Sequence, residues 1–159
     1  MGLFGGLFKK KEELFANSAK LSMEEMEQIQ LSLKDKMDPE TYHSVFNQAC
    51  RLIPKKQYQE AIMLFEAIRE NSTDAYEKGS CESQIGVCHF FLGDFEKALD
   101  FYTRSFHSGY DKRVNDYNIW EACEKLVTID GNKDKWLNYY LELFPDGHYA
   151  GKATKYLLQ

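Results

Sequence analysis

The chain has 159 residues, of which 43% are apolar and 28% charged, enough for one domain with a real core and unlike a disordered polypeptide. The net charge is −5: residues 1–40 carry 6 basic and 8 acidic side chains out of totals of 20 and 25, leaving 14 and 17 for 41–159. Neither part is basic, so a phosphate-neutralising surface for nucleic acid is not expected. The N-terminal stretch MGLFGGLFKKK places Leu3, Phe4, Leu7 and Phe8 at helical spacing, with Lys9, Lys10 and Lys11 directly after. Apolar side chains followed by lysines suit shallow contact with an anionic membrane surface, the plainer alternative being a flexible start whose apolar residues dock on a neighbour or on the first repeat. A secretory signal has the reverse order of charge and apolar residues, and Gly6 stands where myristoylation expects Ser or Thr. No apolar run approaches the ~20 residues that cross a bilayer.

Beyond residue 11 the apolar residues recur every three or four positions, which predicts helices and an all-α fold. Ser22 and Glu25 form a capping box, with Leu21 able to meet Met26 across it. The helix that follows carries Met26, Ile29, Leu33 and Met37 on one face, a surface for packing or self-association. Asp38-Pro39 reads as an N-cap with proline in the first turn, so a new helix begins there. Gly93, Gly109, Gly131 and Pro145 mark later stops. The predicted organisation is an apolar and basic segment over 1–11, N-terminal helices over 12–37, and a repeat domain over 38–159.

Internal repetition defines that domain. Ala61-x-x-x-Phe65 returns as Ala98-x-x-x-Tyr102 and, loosely, as Trp136-x-x-x-Tyr140. Upstream stand Gln48-Ala49, Ile85-Gly86 and Cys123-Glu124, and turn-like residues separate the halves of each unit. The unit is helix, turn, helix, with a period of 37 to 38 residues. Small residues at Ala49, Gly86, Ala61 and Ala98 let paired backbones approach, and Tyr58, Phe65, Phe95 and Tyr102 fill the space between pairs. A lone pair of this kind cannot bury its apolar face, so stacking supplies the core.

On these residues the segment from Gly86 to Phe106 resembles a tetratricopeptide repeat, Val45 to Ile68 a second, and 117–144 a third with Trp120 in the aromatic position. Glu124 and Trp136 depart from the small residues of the pattern, which predicts wider spacing in the third pair. FPDGHYAGKATKYLL resembles the first helix of a further repeat, serving as a cap. The resemblance implies a right-handed α-α superhelix whose first helices line a concave groove that binds another protein. Carried over by position, the groove comprises Phe46, Cys50 and Ile53, then Val87, Phe90 and Phe91, then Glu121, Lys125 and Thr128.

Phe90 and Phe91 stand out as anchors for a partner, with Lys125 as polar support. The groove residues are too apolar to suit an acidic chaperone tail, so a peptide or amphipathic helix is the expected occupant. The chain's own terminal helices are the alternative filling. Nucleophile-elbow, zincin and phosphate-loop patterns are absent, which points to a non-enzymatic adaptor or scaffold without a cofactor. Cys81, Cys88 and His89 share a helix, but their spacing is not that of a zinc site, and no metal is assigned. The four cysteines Cys50, Cys81, Cys88 and Cys123 read as reduced, mostly buried thiols of a cytoplasmic protein. The same features also fit a secretion-type chaperone for a partner protein, or an assembly factor held at the inner membrane surface by residues 1–11.

Overall fold

The computed structural model describes residues 38–159, together with Ser22, Glu24, residues 27–29 and Leu31. These described residues are helical or in turns, with no β-strand among them. From residue 38 onward they form α1 (Pro39–Leu52), α2 (Tyr58–Asn71), α3 (Ala75–Leu92), α4 (Phe95–His107), α5 (Lys112–Asp130), α6 (Lys133–Leu143) and α7 (Ala150–Leu157). The segment 1–11, the Glu25 of the capping box and the stripe residues Met26, Leu33 and Met37 lie outside the described residues. Of that stripe, Ile29 is described and is buried in the first core cluster.

Several helix ends have a local cause. Asp38 caps α1 by accepting the Thr41 N–H at 2.7 Å, and Pro39 occupies a first-turn position where an N–H would have no intrahelical partner, so proline's lack of one costs nothing. Asp74 caps α3 at 2.9 Å, Asp111 caps α5 at 2.9 and 3.3 Å, and Asn132 caps α6 at 3.1 Å. Gly93 and Gly131 terminate α3 and α5 in the left-handed region, at φ of 82° and 71°. An L side chain there costs energy that glycine avoids. The α1–α2 turn reaches the same region through Lys56, at φ of 61°.

Consecutive helices pack against each other throughout, and α3 also touches α5. Hydrogen bonds tie helices two apart. The Tyr42 hydroxyl of α1 meets Ser80 Oγ of α3 at 2.6 Å, Asn118 of α5 donates to Ser83 Oγ of α3 at 3.4 Å, and Thr103 of α4 meets the Tyr139 hydroxyl of α6 at 2.8 Å. The paired residues are separated in sequence by 38, 35 and 36 positions, close to the period read from the sequence.

Two apolar clusters make up the core. The first holds Ala49, Phe65, Ile85 and Cys88 from α1, α2 and α3. The second holds Leu99, Trp120, Leu137, Tyr140 and Ala153 from α4 to α7. They are interlocked: Phe101 of α4 packs on the first cluster, while Val87 and Phe90 of α3 pack on the second. At the α3–α4 crossing a Cβ on Gly86 would sit 2.5 Å from the Tyr102 ring and 3.2 Å from the Ala98 carbonyl, so the missing side chain is where Tyr102 lies.

In the third pair the register differs from the sequence reading. Cys123, 37 positions after Gly86, is fully buried, whereas Glu124 is half-exposed and bonded to Lys152 at 2.6 Å. Cys123 therefore holds the small buried position that the motif had assigned to Glu124. Trp136 is nearly buried, and its indole N–H donates to Asp130 at 2.8 Å.

Candidate partner-binding surface

The groove residues expected from the first helices fall into three settings. Phe46 is half-buried, stacks on Tyr42 at 5.5 Å and meets Phe65 edge-on at 5.3 Å. Cys50 and Ile53 are likewise half-buried against the first cluster. Together they form the rim of the core rather than an open surface.

Val87, Phe90 and Phe91 diverge although they are neighbours. Val87 and Phe90 are half-buried on the second cluster, and Phe90 meets Phe95 edge-on at 5.0 Å. Phe91 faces outward with 58% of its surface exposed, stacked on Tyr58 at 5.6 Å with an interplanar angle of 13°. Leu92 beside it is also exposed. A stacked aromatic pair with one open face is a surface on which a further apolar group can lie.

Glu121, Lys125 and Thr128 come together in a pocket of about 350 Å3, shared with Glu124, Val127, Leu137 of α6 and Tyr156 of α7. The pocket has an apolar base in Val127 and Leu137 and polar groups from α5 around it. Its α7 wall is held by a polar latch. The buried Asp116 carboxylate accepts the Tyr140 hydroxyl at 2.5 Å and the His148 N–H at 2.8 Å, and the Tyr149 N–H donates to the same hydroxyl at 3.1 Å. Burial, and donation to Asp116, push the Tyr140 phenol far above its usual range, so it remains a donor at any ordinary pH. Lys152 then reaches from α7 to Glu124 at 2.6 Å and lies over the rings of Trp120 at 4.9 Å and Tyr156 at 5.5 Å.

The sequence reading missed several residues of this region. Tyr117 on α5 is 52% exposed and its ring lies 6.4 Å from that of Tyr149, which stacks on Trp120 at 5.1 Å. Tyr149, Lys152 and Tyr156 belong to the closing segment, which the sequence marked only as a cap. The one signal available was its density of aromatic and lysine residues.

Among the other candidates, Cys81, Cys88 and Cys123 are buried and Cys50 is half-buried, all four as free thiols. Burial pushes the Cys81, Cys88 and Cys123 thiols up to about 12. His89 is half-buried and stacks on Phe101 at 5.5 Å. No group of three metal-ligating side chains converges among the described residues. No helix among them is long and apolar enough to cross a membrane. The membrane-contact residues Leu3, Phe4, Leu7, Phe8, Lys9, Lys10 and Lys11 lie outside the described residues. No family model matches the chain, and no curated protein matches it either.

Proposed function

We propose that the protein is a non-enzymatic interaction module of the cytoplasm, an adaptor or scaffold. Its helix pairs wind as a right-handed tetratricopeptide-like superhelix, and a peptide or helix of a partner protein lies in the groove formed by the first helix of each pair. The hydrogen bonds between alternate helices, recurring near the sequence period, support the repeat reading. The observation that carries the function is Phe91, a large aromatic left 58% exposed on a first helix beside Tyr58 and Leu92. Burying such a side chain against a partner stabilises by about 1.5–3 kcal/mol, enough for an anchor.

The test is a pull-down from native extract with wild type beside Phe91→Glu, with circular dichroism on both. The expected result is a protein captured by wild type and lost by a variant of unchanged helicity. Equal capture by both would remove the groove from the account. Phe90 is the poorer probe, because its ring also packs on the second cluster and a charge there disturbs the core.

A further inference from the structure

We propose that Glu121, which lines the α5–α7 pocket with Tyr117 and Tyr149 beside it, receives a lysine or arginine side chain of the bound peptide. This rests on the groove reading above and names the chemistry that the groove selects. Glu121 stands one helical turn after Tyr117 on α5, and Tyr117 and Tyr149 approach to 6.4 Å between ring centroids. The Glu121 charge acts on Tyr149, helping burial to raise its phenol above the ordinary range, and acts in the same sense on Tyr102.

The charges around the pocket favour a cation. The Glu124 carboxylate is neutralised by Lys152 at 2.6 Å, and that ammonium already lies over two rings. The half-buried Glu121 side chain makes no hydrogen bond or close ion pair with another described residue, and the Lys152 ammonium, bonded to Glu124, acts on it only through space. Lys125 also lines the pocket, but it is exposed, so water screens its charge. A partner charge reaching a half-buried carboxylate interacts in a lower effective dielectric than one reaching an exposed ammonium. The tyrosine faces add attraction for a cation and none for an anion. The aliphatic stem of a lysine or arginine, or an apolar neighbour in the peptide, meets Val127 and Leu137 in the same pocket of about 350 Å3.

The experiment uses the full chain immobilised and panned with a random peptide library displayed on phage, in parallel for wild type, Glu121→Gln and Phe91→Glu. Glu121→Gln keeps the side chain's size at a half-exposed position, so the fold is retained, as circular dichroism checks. Peptides selected by wild type are expected to share one basic position next to an apolar one. Replacing that basic residue by norleucine should weaken binding to wild type about tenfold, the scale of one charge-assisted hydrogen bond. The same replacement should cost almost nothing with Glu121→Gln, since the two changes remove one interaction.

Selected peptides without a common basic position would overturn the proposal. So would a basic residue whose loss costs the same in both proteins. If those peptides still fail to bind Phe91→Glu, the groove reading stands and only the Glu121 assignment falls. If no peptide is selected above background, both fall together.

Discussion

At Gly86 the absence of one carbon decides how closely α3 and α4 approach. A methyl group there would meet the Tyr102 ring at 2.5 Å and the Ala98 carbonyl at 3.2 Å, and Tyr102 is nearly buried and unable to swing clear. Gly86→Ala is therefore expected to destabilise by about 1–3 kcal/mol despite alanine's better helix propensity, measured by urea unfolding. Gly151 supplies the comparison, since nothing lies near the Cβ it lacks, and Gly151→Ala should be neutral or slightly stabilising. His89 carries a second residue-scale expectation. Burial lowers its pKa, opposed by Asp94, and its Nδ1 is buried without a hydrogen-bond partner. The folded state thus binds this proton less readily than the unfolded state. Stability contributed by neutral His89 is present above about pH 6.5, is lost as pH falls through that value, and levels off once the folded group is also protonated. A pH series of melting curves checks this, with His89→Phe expected to flatten the part of the slope that His89 supplies.

The element whose position depends most on polar contacts is α7. It has eight residues, too short to hold as a helix alone, and no side chain caps its N-terminus. Apolar contact comes from Ala150 and Ala153, and orientation from Asp116 through Tyr140, His148 and Tyr149. Asp116→Ala leaves a buried hydroxyl and a backbone N–H without their acceptor, at a cost of about 1–3 kcal/mol. The loss is expected to be local first: hydrogen exchange should speed up over residues 148–157 while α3 and α4 keep their protection. An even rise across the chain would show that the latch supports the whole fold instead of the last helix. Such a latch was not legible in the sequence, because Asp116, Tyr140 and His148 are linked only after α5 and α6 have packed. The cap at Asp38 and the stops at Gly93 and Gly131 were more accessible, being set by residues within a turn of one another.

For the whole molecule, the repeat period was legible because it follows from small and aromatic residues at matching offsets, and bonds between alternate helices fall close to it. The register of the third unit was not. In the motif both helices repeat at 37 from the first unit to the second and at 38 from the second to the third, so a one-residue choice at Cys123-Glu124 could be settled only by burial. The candidate surface was legible in the same uneven way. Position along a first helix marked Phe91, Glu121, Lys125 and Thr128, but it could not separate exposed Phe91 from core-packed Phe90, nor foresee the aromatic wall brought by α7.

The interlocking of the two clusters has a consequence for where the chain can be divided. The α3–α4 turn at Gly93 and Asp94 is a surface bend and an obvious place to cut. Yet Phe101, beyond the bend, completes the first cluster, and Val87 and Phe90, before it, complete the second. A protease nick there creates two fragments that each retain a raw apolar face shaped by the other. Such fragments would behave less as miniature domains than as the two parts of a split protein, ordered when mixed and prone to aggregate when kept apart.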